Sequence, residues 1–454
     1  MILIPVVMGT VLRIYKIWSN YYFTGELGKE LLYARNYMNS GTLPLIGMST
    51  SHEWLNYGPI YYWILIPLMK IFGGSPYILF WLALAVSVIG ILITYYVFKK
   101  IVGKKFAIIL ASFISVSPLW IWATRLSKLH TFFFILIPLV ILFMYKVWNG
   151  KRTYMIWLGV AFGAIFSFHF SQLPFFIVIF LMFYIKRRSL KFKDYLLFLA
   201  GLLIPNITIL IYDAQNGFAM LRNLVLWIPY RFAGFVGILQ KNNLDGSGGA
   251  GTLSAFNEFF GRNLFDNKHL WAVGSVIFIA LFVMFFVRNR KKYKKDFFVF
   301  YVITSTIVQC FALLIHTNPP LHYFFPIFLN FGLLFSHFAT KFWVRPPTKI
   351  LTAAIFILLF ITGILNLNNE HINDVDYIPL YKQEKAIEEI VDMASGRSFN
   401  LVRVGPYDYF PENYSQNYKY LILNKGGKID PNSNLIYTIT ESDKNISIKE
   451  NAKN

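Results

Sequence analysis

Acidic residues are what this sequence has least of. Of 454 residues only 22 are Asp or Glu, against 43 Lys or Arg, and just nine of the 22 fall in the first 366 positions. Charged residues of both signs make up 14% of the chain, against roughly 25% in an ordinary soluble domain, while 56% are hydrophobic. Too little polar surface is available to cover a soluble globule of that composition, so this class is excluded. The single cysteine, Cys310, lies inside an apolar run and rules out an intramolecular disulfide; it reads as a small packing residue. The short alternating segments of a membrane β-barrel are missing. So is any internal repeat, which weighs against transporters built from duplicated halves. Residues 1–11 lack the basic leader of a cleavable signal peptide and run into Arg13; as a span this stretch is short, which leaves open a start further upstream.

What is present is a series of apolar runs of about 14 to 22 residues, most of them long enough to cross a hydrocarbon core of roughly 30 Å. Backbone polar groups in lipid must be satisfied within the segment, so the runs predict helices. The expected spans are 1–17, 77–98, 106–123, 131–148, 154–170, 173–186, 195–212, 270–288, 297–316, 321–340 and 349–366. Five short loops between them carry 21 cations, at residues 99–105, 146–152, 186–193, 288–295 and 341–349, whereas the loops that intervene after residue 105 carry seven. By the positive-inside rule the five clusters face the cytoplasm. The formal charge of +21 is therefore a topology signal and does not imply a nucleic-acid partner. The expectation is an all-α polytopic membrane protein with about eleven transmembrane helices, placed in the cell membrane with its N-terminus cytoplasmic. Counting 59–72 as another span would reverse that arrangement, so it reads as an interfacial helix whose Tyr61, Tyr62 and Trp63 suit headgroup depth.

Two outer loops are long. The first, 18–76, holds Glu26, Glu30 and Glu53; the second, 213–269, contains a Gly-rich stretch at 245–252 that reads as a mobile connector. After position 366 the composition turns to 13 acidic and 10 basic residues. Helix-like 385–394 and strand-like 400–404, 420–424 and 435–439 predict a small soluble α/β domain over 367–454 on the outer face, with 1–366 as the membrane domain.

In the first loop Glu26, Glu30, Tyr33 and Tyr37 fall on one helical stripe. Two carboxylates one turn apart repel, so something balances them. They read either as a solvated face with Lys29 and Arg35 as partners, or as a general base or metal ligand where a lipid-borne substrate arrives. Arg125, Lys128 and His130 follow the third span. They read either as snorkelling cations or as a phosphate clamp for a lipid headgroup. His169 occupies the next outer turn, and with His130, His316 and His322 it suggests a polar cavity opening outward. Asp213 closes the seventh span, either as an interface marker or as part of that cavity. No spacing resembles a zinc signature.

The segments Phe23-Thr-Gly-Glu-Leu-Gly-Lys-Glu30, Gly41-Thr-Leu-Pro-Leu-Ile-Gly47 and Tyr57-Gly-Pro-Ile-Tyr-Tyr-Trp63, with Gly-Lys-Lys at 103–105 and Ser117-Pro118, resemble the polyprenyl-phosphate-sugar-dependent glycosyltransferases of the GT-C fold. The resemblance is to the family 39 type, which includes protein mannosyltransferases and the aminoarabinose transferase of lipid A. It implies a sugar donor linked to polyprenyl phosphate, an extracytoplasmic glycan, lipid or protein acceptor, and Glu26 as general base. Substrate-binding candidates are then Arg125, Lys128, His130, His169, Lys29, Glu30, Tyr57, Asp213, His322 and Tyr323. Glu26 stands where these enzymes commonly have Asp, and His130 stands where many carry a second acid. No cofactor is required by the pattern, and a divalent metal is left open. The competing classes are a lipid or glycolipid flippase, and an inactive binding protein of the same fold.

Overall fold

The computed structural model describes residues 2–50, 52–235, 249–315, 325–343, 346–368, 378–405, 414–442 and 445–452. The apolar segments of the sequence form helices. Five are long and apolar enough to cross a membrane: Tyr77–Ile101, Leu129–Trp148, Phe192–Gln215, Lys268–Lys292 and Pro346–Leu367. A sixth is the bent pair Lys104–Val116 and Pro118–Arg125. Shorter apolar helices, among them Leu3–Ile14, Tyr154–Phe168 and Phe170–Lys186, fill the same layer. By length and composition the described residues thus support five or six crossings, where the sequence predicts about eleven. Helix Ile60–Phe72, at 13 residues, is too short to span and fits the interfacial reading.

With no hydrophobic drive between helices in lipid, close packing needs small residues. Gly159 and Gly163 supply it: an added methyl would lie 2.2 Å from the Phe198 carbonyl and 2.5 Å from that of Leu202. Three of the basic loops meet at one end of the bundle, where Ile101, Asn149, Lys292 and Lys295 line a common cavity of about 260 Å³.

The bend in the third apolar segment is the feature that positions the opposite end. Pro118 has no N–H, and Ser117 before it is held extended (φ −64°, ψ 124°), so the helix breaks and turns by 57°. The break frees the carbonyl of Ile114, and Leu119 donates its N–H to Arg262 instead of Ser115 (3.1 Å). Arg13, fully buried, satisfies both freed carbonyls: Nη2 donates to Ile114 (3.3 Å) and Nη1 to Ser115 (3.1 Å) and Gly9 (2.9 Å). Its Nε donates to Ser87 and Thr124. A buried charge at this depth is tolerated because every one of these partners is a polar group that lipid cannot supply.

After the membrane region the described chain resumes at Ile378 and folds into helix Leu380–Ala394, strand β1 (Ser398–Val404), helix Gln416–Asn424, and strands β2 (Lys428–Ile429), β3 (Leu435–Ser442) and β4 (Asn445–Ala452). The sheet order is β2-β1-β3-β4, with β1 parallel to β2 and β3, and β4 antiparallel to β3. Residues 420–424, expected as a strand, belong to a helix. Tyr418, Tyr420, Leu421 and Ile422 are all buried, so the apolar run lacks the amphipathic pattern that separates a short helix from a strand. Of the Gly-rich stretch, 245–248 lies outside the described residues and the remainder opens helix Gly249–Gly261.

Candidate functional site

The loop helix Gly25–Ser40 starts at Thr24, whose hydroxyl accepts from the Leu27 N–H (3.5 Å), and stops at Gly41, whose φ of +69° suits a residue without Cβ. Glu26 lies in its first turn, where the helix dipole favours negative charge. There it forms an ion pair with Lys128, 102 residues away in sequence. The side chains are 41% and 21% exposed, so the pair is open to an arriving ligand. Lys128 follows helix Pro118–Arg125, whose axis is turned by 57° from that of Lys104–Val116.

Glu30, one turn on, is fully buried; the Tyr61 hydroxyl is its hydrogen-bonding neighbour, and neither oxygen has a partner in close, well-aligned geometry among the described residues. Its polar neighbours are the buried phenols of Tyr61, Tyr62 and Tyr21, with Glu26 and Lys128 beyond them. Burial, and then the Glu26 charge, push its pKa up to about 8, so near neutral pH this carboxyl is protonated. Of the counter-charges expected on the same helix, Arg35 donates to the Leu423 carbonyl (3.0 Å), and Lys29 is half-buried.

Arg125 is buried and its Nη1 donates to the carbonyls of Arg13 (3.0 Å) and Tyr15 (2.9 Å), which closes the C-terminal end of helix Leu3–Ile14. That position ties it to the scaffold three residues before Lys128. His130 and His169 are buried, and Lys128 is close enough to act electrostatically on both. His169 Nδ1 accepts from the Ser171 N–H (3.0 Å), and its ring lies 5.4 Å from that of Tyr57. Tyr57 belongs to a folded-back segment, with Gly47 N–H donating to its carbonyl (2.7 Å) and its own N–H to Met48 (3.0 Å). The next residue, Gly58, donates to the Ser167 carbonyl (2.9 Å) and pins the loop to the membrane helix. Glu26, Glu30, Lys128, His130, His169 and Tyr57 thus gather at one end of the bundle.

Asp213 stands apart from this group in role. Its two oxygens accept from Met220 (2.7 Å) and Leu221 (2.8 Å) and cap helix Ala219–Phe235. His322 and Tyr323, with His316, lie outside the described residues. Among the described residues no three His, Cys, Asp or Glu converge as a metal would require. Sequence reasoning missed Arg13, although a lone arginine in an apolar segment is itself a signal.

The fold has known counterparts. Residues 56–212 match the family described as dolichyl-phosphate-mannose-protein mannosyltransferase. ArnT from Cupriavidus metallidurans bound to undecaprenyl phosphate superposes with a TM-score of 0.62 at 12% identity, over 96% of this chain and 92% of that one. The archaeal oligosaccharyltransferase AglB from Archaeoglobus fulgidus, in complex with an inhibitory peptide and a dolichol-phosphate, gives 0.50 at 14% identity, over 92% of this chain and 59% of that one. No curated protein sequence matches. The chain is a polytopic membrane protein of the GT-C fold, the fold of the polyprenyl-phosphate-dependent glycosyltransferases.

Proposed function

We propose that the protein is a membrane glycosyltransferase that moves a sugar from a polyprenyl-phosphate donor to a hydroxyl acceptor on the outer face of the membrane. The observation that carries this reading is the accessible Glu26–Lys128 pair at the end of the bundle away from the basic loops. Glu26 takes the proton of the acceptor hydroxyl as that oxygen bonds to the anomeric carbon. The bond from that carbon to the phosphate oxygen breaks, and the electron pair leaves with the polyprenyl phosphate. A phosphate leaves as an anion and needs positive charge more than a proton, and Lys128 supplies that charge where it accumulates. Arg125 contributes by holding the turn that presents Lys128. Glu30, neutral and enclosed, leaves Glu26 as the one carboxylate of the helix that meets substrate. A protein, glycan or lipid acceptor fits this chemistry equally well, and so does a hexose or a pentose.

The test is incubation of the full-length protein in nanodiscs with a polyprenyl-phosphate-linked sugar and defined hydroxyl acceptors. Free polyprenyl phosphate appearing together with glycosylated acceptor supports the reading. Movement of intact donor across a liposome bilayer without bond cleavage would replace it with a flippase. Donor binding with neither event would leave an inactive binding protein of the same fold.

A further inference from the structure

The C-terminal domain is bonded to the loop helix that carries Glu26, and the bonds concentrate at the end where Glu26 lies. Gln383 Nε2 donates to the Phe23 carbonyl (3.0 Å) and to that of Ile378 (2.8 Å). Asn417 Nδ2 donates to the same Phe23 carbonyl (3.2 Å) and to Gln383 Oε1 (2.9 Å). Phe23 immediately precedes the capping Thr24, and both amide side chains are buried. Two residues earlier, the Tyr21 carbonyl accepts from the Leu380 N–H (2.7 Å). Between these anchors the backbones touch: a methyl added to Gly28 would lie 2.3 Å from the Asn417 nitrogen. In the far half of the helix, Arg35 donates to the Leu423 carbonyl of the same domain (3.0 Å).

We infer that Asn417 and Gln383 are positioning residues for Glu26, so that the C-terminal domain acts on sugar transfer by fixing the first turn of the loop helix and not by touching the sugar. The inference rests on Glu26 as the base. A helix start held through one carbonyl by two buried amides has little freedom to rotate. An ångström of displacement at a reacting group can cost about 10²-fold in rate.

The experiment compares wild type, Asn417→Ala, Gln383→Ala and the double variant as full-length protein in nanodiscs. Donor and acceptor kinetics are read beside hydrogen exchange of the loop-helix amides. The expected result is a kcat lowered by about 10-fold to 10²-fold with donor and acceptor KM nearly unchanged. Exchange should be faster over 25–31 and unaltered in β1 and β3. Lys425→Ala, which removes an exposed ion pair with Glu388 on the same domain, should change neither readout. An unchanged kcat in a variant whose loop helix exchanges faster would overturn the inference. So would a raised acceptor KM at constant kcat, which would make the domain an acceptor-binding surface, and so would unaltered exchange. Should the double variant fail to fold, the single variants carry the same comparison. Should wild-type protein transfer no sugar, the proposed function fails, while exchange still decides whether the domain holds the helix.

Discussion

On the loop helix, Glu26 keeps 41% of its side chain exposed beside an ammonium, whereas Glu30, one turn further, is fully buried and enclosed among tyrosines. The residue type and the helix are the same. What differs is what the rest of the fold brings to each. The Pro118 bend delivers Lys128 to the outward position, and helix Ile60–Phe72 delivers Tyr61 and Tyr62 to the inward one. The outward carboxyl keeps water and an ammonium beside it, whereas the inward one loses water and gains only phenols, which holds its proton on. Separating the two environments also eases the repulsion of two carboxylates at i and i+4, because one of them is neutral.

Several substitutions break or sharpen this contrast. The largest effect is expected for Glu26→Gln, which preserves size and removes the proton acceptor: transfer should slow by about 10² to 10⁴-fold with donor binding retained. Lys128→Met removes the cation from both Glu26 and the leaving phosphate and should lower kcat by about 10²-fold, with donor KM rising as well. Glu30→Gln should leave turnover near wild type, and its signature is thermal stability against pH. The folded pKa of Glu30 is raised from 4.5 to about 8, so the stability it contributes is full below 4.5 and is lost as pH rises through about 8. Melting curves between pH 5 and 9 should therefore fall for wild type and flatten for Glu30→Gln. The smallest change is expected for Tyr61→Phe. The Tyr61 hydroxyl steadies the charged form of Glu30, so its loss should move the same melting transition to higher pH with little effect on transfer.

The helices of the membrane layer were legible because lipid leaves a long apolar run no other way to satisfy its backbone. The loop helix was legible from the Thr24 cap and the stripe of Glu26, Glu30, Tyr33 and Tyr37. The ion pair was not: Glu26 and Lys128 meet only through a proline bend, and nothing local to either residue records it. Lys29 and Arg35 looked like the natural partners by helical spacing, but Arg35 is drawn to a carbonyl of the C-terminal domain. The opposite fates of Glu26 and Glu30 were equally hidden, since position on a helix face does not say which neighbours cover that face. Residues 420–424 were misread because their helix is buried on both sides, against the loop helix and against its own sheet. Arg125 and Asp213 carried the right chemistry for a site, and the structure spends it on helix ends.

The most direct test of this division of labour is one rate ratio: sugar transfer from a defined polyprenyl-phosphate donor by Glu26→Gln and by Glu30→Gln, purified and assayed side by side in nanodiscs at pH 7. With Glu26 as the base and Glu30 a neutral buried carboxyl, the Glu30 variant should exceed the Glu26 variant by about 10²-fold or more. Equal rates, or a Glu30 variant slower than the Glu26 variant, would contradict the assignment and move the catalytic carboxylate to the enclosed position.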